Sequence, residues 1–153
     1  MNEIERLIAI EEIKQAKARY FRGVDTADTA LVKGVLADDC VLDYNGCCVD
    51  PASGRDFLPA MNVVMRGSAS WTSSALSSAG IVSVHHSHNA EVTLTGDNSA
   101  DAIWSMTDRL YLPVGAPYSL MTGFGYYHET WVKTDGAWRI KTLRISRLRV
   151  EAI

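Results

Sequence analysis

The sequence lacks a run of lysine and arginine, a CxxC pair and an apolar stretch long enough to cross a bilayer. Each absence removes a class of function. Without a basic run, a chain of net charge -3 has no electrostatic footprint for nucleic acid or for an anionic membrane surface. Without a long apolar segment, no spanning helix is expected. Without CxxC, a zinc–thiolate site is not indicated. The three cysteines, Cys40, Cys47 and Cys48, are an odd number and read as reduced thiols of a cytoplasmic protein. Adjacent Cys47 and Cys48 would point to opposite faces of a strand, which disfavours a bridge between them. The opening MNEIERLIAIEEIK is acidic and helical in pattern, unlike a signal peptide.

What is present is an ordinary globular composition, 47% hydrophobic and 22% charged over 153 residues. That length predicts one domain, residues 1–153, with one sizeable core. Residues 3–21 carry Ile4, Leu7, Ile8, Ile13, Ala16 and Tyr20 at three- and four-residue steps, which predicts an amphipathic helix. Gly23 is placed to end it in a left-handed cap. Asp28 or Thr29 can cap a second helix running to Leu36. Residues 40–44 alternate as a strand, Asn45-Gly46 is a hairpin signal, and residues 47–49 would be the return strand. A third helix fits residues 55–65, with Pro59 in its first turn. The Ser/Gly/Ala-rich residues 67–80 read as a loop anchored by Trp71, either a plain connector or a pocket lid, with Trp71 favouring the lid.

From residue 81 the texture becomes strand: 81–94, 99–112, 118–133 and 137–150, joined by short turns. Four such strands form an antiparallel meander, and helices followed by strands indicate the α+β class. The expected architecture is a strongly curved mixed or antiparallel sheet wrapped around the N-terminal helices, a conical barrel with an internal pocket. Gly123 and Gly125 are placed to let it bend.

The stretch Val84-His85-His86-Ser87-His88-Asn89 holds three of the four histidines. Simple alternation puts His86 and His88 on the face of Val92 and Leu94, and His85 on the other. A bulge near residues 87–89 would reverse the phase and turn His85 inward. Both readings stay open. His86 and His88 share a face and could bind a metal with His128 or Glu129, but the spacing specifies only two ligands, so no metal is expected.

Several segments together resemble a known family. They are Arg19-Tyr20-Phe21-Arg22-Gly23-Val24-Asp25, Val41-Leu42-Asp43-Tyr44, Val84-His85-His86, Gly125-Tyr126-Tyr127-His128-Glu129 and Asp135-Gly136-Ala137-Trp138-Arg139-Ile140. The chain resembles the SnoaL-like domain of the nuclear-transport-factor-two-like superfamily, whose members include scytalone dehydratase, bile-acid dehydratase and hexachlorocyclohexane dehydrochlorinase. The resemblance implies a His–Asp dyad at His85 and Asp25, assisting tyrosines at Tyr20 and Tyr44, and an arginine from the last strand, Arg144 ahead of Arg147. His86, Trp104, Met106, Met121, Phe124, Trp71, Arg147 and His128 are the candidates for contacting substrate.

The expected activity is a cofactor-independent lyase, a dehydratase-type elimination on a hydrophobic oxygenated ring compound such as a steroid or polyketide. A ketosteroid-isomerase or cyclase type with Asp25 as base, a non-catalytic small-molecule binder and a dioxygenase small-subunit-like scaffold stand as alternatives. A homo-oligomer is expected, a trimer ahead of a dimer, with neither nucleic acid nor membrane as partner.

Overall fold

The computed structural model describes residues 1–72 and 75–153. Its first element is a helix, α1 (Glu3–Asp25), opened by a capping box. The Asn2 Oδ1 accepts from the Glu5 N–H at 2.9 Å, and the Glu5 carboxylate accepts from the Asn2 N–H at 2.7 Å. Two of the four N–H groups left orphaned at a helix start are thereby satisfied. The buried stripe begins at Ala9 and runs through Ile13, Ala16, Lys17, Tyr20, Phe21 and Val24. Ile4, Leu7 and Ile8, expected on that stripe, are 70, 67 and 53% exposed. The sheet covers only the later turns of the helix.

Gly23 does not end the helix. It lies inside it, where a Cβ would come within 2.7 Å of Val32 Cγ2. The missing side chain lets α2 (Thr29–Lys33), capped by Asp28, pack directly on α1. The chain reverses instead at Ala27, at φ 56°. Gly23→Ala is therefore expected to lower stability by about 1–3 kcal/mol through overpacking. Urea unfolding will read this, and an unchanged midpoint would mean that α2 moves aside freely. The second helix is also shorter than expected, because Leu36 already belongs to β1 (Leu36–Asp43).

The next region departs most from expectation. Residues 47–49 form no return strand. The Cys47 N–H bonds to the Tyr44 carbonyl and the Val49 N–H to the Gly46 carbonyl, each at 3.0 Å, so the chain rolls through successive turns. The expected helix over residues 55–65 is a single 3₁₀ turn at Pro59–Met61 followed by β2 (Val64–Arg66). β2 is the antiparallel partner of β1, with Leu42 opposite Met65. β-Branched Val63 and Val64 suit an extended edge better than a helix.

A further 3₁₀ turn at Ser68–Ser70 and a short helix, α3 (Ala75–Ser78), occupy the expected lid segment, and Trp71 between them is buried. Residues 73–74 of that segment lie outside the described residues.

Four long strands follow: β3 (Val82–Gly96), β4 (Ser99–Tyr111), β5 (Leu120–Thr134) and β6 (Ala137–Ala152). The sheet order is β2-β1-β6-β5-β4-β3, with β1 parallel to β6 and every other pair antiparallel. The sheet is thus mixed, and β2 and β3 are free edges, so it forms an open curved cone rather than a closed barrel. Helix α1 packs against β3 and β6. Register shifts on β3–β4, β5–β6 and β1–β6 are the bulges that bend long strands around the helix. No helix among the described residues is long and apolar enough to cross a membrane.

Candidate active site

One bulge decides which histidine faces the helix. On β3, Ser87 pairs with Met106 and Ala90 with Trp104, so three steps on β3 match two on β4. Before the bulge, Ser83 and His85 point inward; after it, Ala90, Val92 and Leu94 do. His85 is the inward histidine. His86 lies on the other face, its ring stacked on that of His88 at 6.4 Å, and His88 Nε2 meets Thr107 Oγ1 at 3.0 Å.

Asp25, the last residue of α1, meets His85 there. Its Oδ1 lies 2.6 Å from His85 Nδ1 and accepts from Ser83 Oγ at 2.9 Å, while its Oδ2 accepts from the His85 backbone N–H at 2.8 Å. Partial burial pushes the Asp25 carboxyl up, but hydrogen bonds from the His85 ring and backbone, the His85 charge and Ser83 together hold it below its ordinary value. A carboxylate accepting at Nδ1 fixes the tautomer that leaves Nε2 with a free lone pair. The imidazole stacks on Phe21 at 5.5 Å with 13° between the planes, so it is fixed on its face as well as at its edge.

His85 borders a cavity of about 90 Å³. Tyr20 and Tyr44 share its wall, their hydroxyls 2.5 Å apart and buried. Burial pushes both phenols well above their ordinary value, so both remain protonated donors at neutral pH. Trp71 meets the ring of Tyr20 edge-on at 6.1 Å. Val24, Met65, Leu76, Leu110 and Ile145 make the rest largely apolar.

The last-strand arginine in the cavity is Arg147. Its Nη1 and Nη2 donate to Asp108 at 3.0 and 2.7 Å, and its Nε donates to the Cys47 carbonyl at 2.5 Å. Arg144, the first choice from the resemblance, is exposed on the opposite face of the sheet. The bulge between the pairs Thr130–Thr142 and Trp131–Ile140 and the one between Phe124–Arg149 and Gly125–Arg147 reset the alternation of β6, which simple counting could not anticipate.

Of the other expected contacts, Trp71 and Arg147 reach the cavity. Trp104, Met106 and Met121 are buried in the core but do not line it; Trp104 Nε1 donates to Glu129 and Met106 Sδ sits 3.2 Å from Arg147 Nη1. Phe124 is 37% exposed, and His128 meets Ser146 on the outer face at 2.7 Å, where burial and Arg144 lower its pKa. Neither reaches the cavity, because both alternate outward on β5.

Four cavity groups escaped sequence reading: Asp108, Tyr127, Cys47 and Cys48. Asp108 had a signal, since Ala100, Ala102, Trp104, Met106 and Leu110 mark the inward register of β4 and Asp108 falls in it. A carboxylate in an apolar register calls for a buried partner.

A six-stranded open curved sheet with N-terminal helices packed against it is the NTF2-like fold. The chain belongs to the SnoaL-like domain family, whose model matches residues 5–144. Among solved structures it is similar to a protein of Novosphingobium aromaticivorans described provisionally as a scytalone dehydratase, at 16% identity and a TM-score of 0.77, over 97% of this chain and 90% of that one. It is also similar to the hexachlorocyclohexane dehydrochlorinase LinA-type3 of Novosphingobium barchaimii, at 13% identity and a TM-score of 0.76, over 99% and 94%. An NTF2-like superfamily protein of Salmonella enterica matches at 16% identity and a TM-score of 0.67, over 90% and 89%. At such identities the likeness establishes the fold, and the chemistry rests on the site.

Proposed function

We propose that the protein is a lyase of dehydratase type, removing water from a hydrophobic oxygenated ring compound without a cofactor. The observation that carries this is the 2.6 Å contact between His85 Nδ1 and Asp25 within a cavity that also holds two buried tyrosine hydroxyls. His85 Nε2 takes the proton next to a carbonyl. Asp25 stabilises the imidazolium that forms and keeps the ring in place. The Tyr20–Tyr44 pair donates to the carbonyl oxygen as negative charge develops on it. The imidazolium then returns the proton to the departing hydroxyl, so no net proton is consumed.

The ionisable side chains His85, Arg147 and Asp108 at the cavity wall are already paired, His85 with Asp25 and Arg147 with Asp108. That favours a neutral substrate. The volume of about 90 Å³ favours a compact ring system over a steroid or a long polyketide. Asp25 accepts three hydrogen bonds, which leaves it poorly disposed to act as the base of an isomerase.

Tyr44→Phe removes one donor of the hydroxyl pair and is expected to lower kcat by about 10²-fold. Steady-state kinetics on a panel of cyclic β-hydroxy ketones tests this. Binding of such compounds without turnover by the wild-type protein would replace the enzyme with a small-molecule binder. Val82, Tyr111, Phe124 and Leu148 are exposed apolar side chains on the strands, which supports a homo-oligomer; the family resemblance alone puts a trimer ahead of a dimer. The buried free thiols suit a reducing compartment such as the cytoplasm.

A further inference from the structure

The turn after β1 sets two thiols side by side. Cys47 and Cys48 are both buried, both border the cavity, and their Sγ atoms are 3.7 Å apart. On a strand they would have faced apart. The successive turns at residues 44–49 bring them together instead.

The arrangement is held from behind. Arg147 grips the Cys47 carbonyl through Nε and is itself locked by the two-pronged contact with Asp108. Gly123 makes room for that contact, because a Cβ there would overlap both Asp108 Oδ1 and the Arg147 guanidinium. The contact with Cys48, followed by the Arg147 charge, pulls the Cys47 thiol below its ordinary value despite burial. Cys48, in the same contact and also buried, is raised.

We propose that Cys47 and Cys48 are a chelating dithiol in the cavity wall that captures trivalent organoarsenicals. Two sulfurs on one pyramidal trivalent centre, with bonds of about 2.3 Å and an angle of about 95° between them, stand about 3.4 Å apart. The observed 3.7 Å is therefore already close to a chelating bite. A zinc-like ion would need a third and a fourth ligand, and no cluster of three or more metal-ligating side chains is found among the described residues. A trivalent arsenical needs only the two sulfurs, since its organic group and a lone pair complete the arsenic. The apolar neighbours Met61, Val63 and Met65 give the organic group a place to rest.

The chemistry balances without an oxidant. In R–As=O, two As–S bonds form, two S–H bonds break, and the oxygen leaves with both protons as water. Arsenic stays trivalent throughout. The Cys47 thiolate adds first and Cys48 closes the ring. The site does not depend on the elimination reaction.

Phenylarsine oxide, added to the reduced full chain at one equivalent, tests the proposal by intact-mass measurement. The expected result is one adduct per chain, heavier by the reagent less one water. It should survive excess 2-mercaptoethanol and be released by 2,3-dimercaptopropanol. Cys47→Ser and Cys48→Ser should each lose the stable adduct, and Cys40→Ser should keep it. Digestion of the labelled wild type should place the arsenic on the peptide carrying residues 47 and 48, a readout that needs no variant to fold. No monothiol-resistant adduct on the wild type, or an adduct that maps to Cys40, overturns the proposal.

Discussion

His85→Ala is expected to lower kcat/KM for the elimination by about 10³-fold, the range that a positioned general base supplies. His85 is the inward histidine, and its Nδ1 is committed to Asp25 at 2.6 Å, so no second imidazole stands ready to replace it. His86 and His88 stack on each other on the far side of the strand. Accordingly, His86→Ala should leave turnover within about twofold, the usual behaviour of a surface substitution.

Asp25→Asn should cost about as much as His85→Ala, because a neutral amide neither stabilises an imidazolium nor selects the tautomer as firmly. Stopped-assay kinetics on the three variants, with thermal unfolding to confirm that each is folded, reads the difference. Equal rates for His85→Ala and His86→Ala would remove His85 from the mechanism. Asp25 also predicts an acid-side effect. Its folded pKa lies below the ordinary 3.8, so its contribution to stability is complete above that value and fades as the pH falls through the folded pKa. The acid limb of the stability profile should therefore be shallower in Asp25→Asn.

Lys17→Met is expected to destabilise the fold by about 3–5 kcal/mol. Lys17 and Glu129 form an ion pair with both side chains fully buried. Glu129 Oε2 also accepts from Trp104 Nε1 at 2.7 Å and Trp131 Nε1 at 3.0 Å, and Lys17 Nζ lies 3.6 Å from the centre of the Tyr127 ring. Removing the ammonium leaves a buried carboxylate held by two indoles alone. The double variant Lys17→Met/Glu129→Gln should recover most of the loss, since an amide oxygen can still accept from the indoles and no charge remains. Urea unfolding measures both.

Desolvation lowers the Lys17 pKa to about 8 against the pull of Glu129, so the pair is intact at neutral pH. A cost below about 1 kcal/mol for Lys17→Met would show that Glu129 is satisfied without its cation.

The fold was largely legible because its signals are periodic. The long strands β3 to β6 and the first helix emerge from alternation and three-to-four-residue spacing. The edge strand β2 was missed because Val64–Arg66 gains its conformation from pairing with β1, a contact between distant residues that no local propensity encodes. Asp25 and His85 were found through the family resemblance, and the reversal of phase at the β3 bulge is what makes their meeting possible. Arg144 was placed ahead of Arg147 because two bulges on β6, each shifting the face by one residue, leave no trace in the sequence. The Cys47–Cys48 pair stayed hidden because Asn45-Gly46 reads as a hairpin, whereas the chain continues turning. No local pattern marks Lys17 as buried, because its partner lies 112 positions away.

The proposed chemical step is abstraction of a carbon-bound proton by His85 inside the cavity. Solvent exchange tests this without any leaving group. A cyclic ketone that lacks the hydroxyl can be incubated with the protein in D₂O and followed by mass spectrometry. Deuterium is expected at the carbon next to the carbonyl with the wild type, and only the background rate with His85→Ala. Exchange that proceeds equally in both, with bound ketone demonstrated, would contradict it.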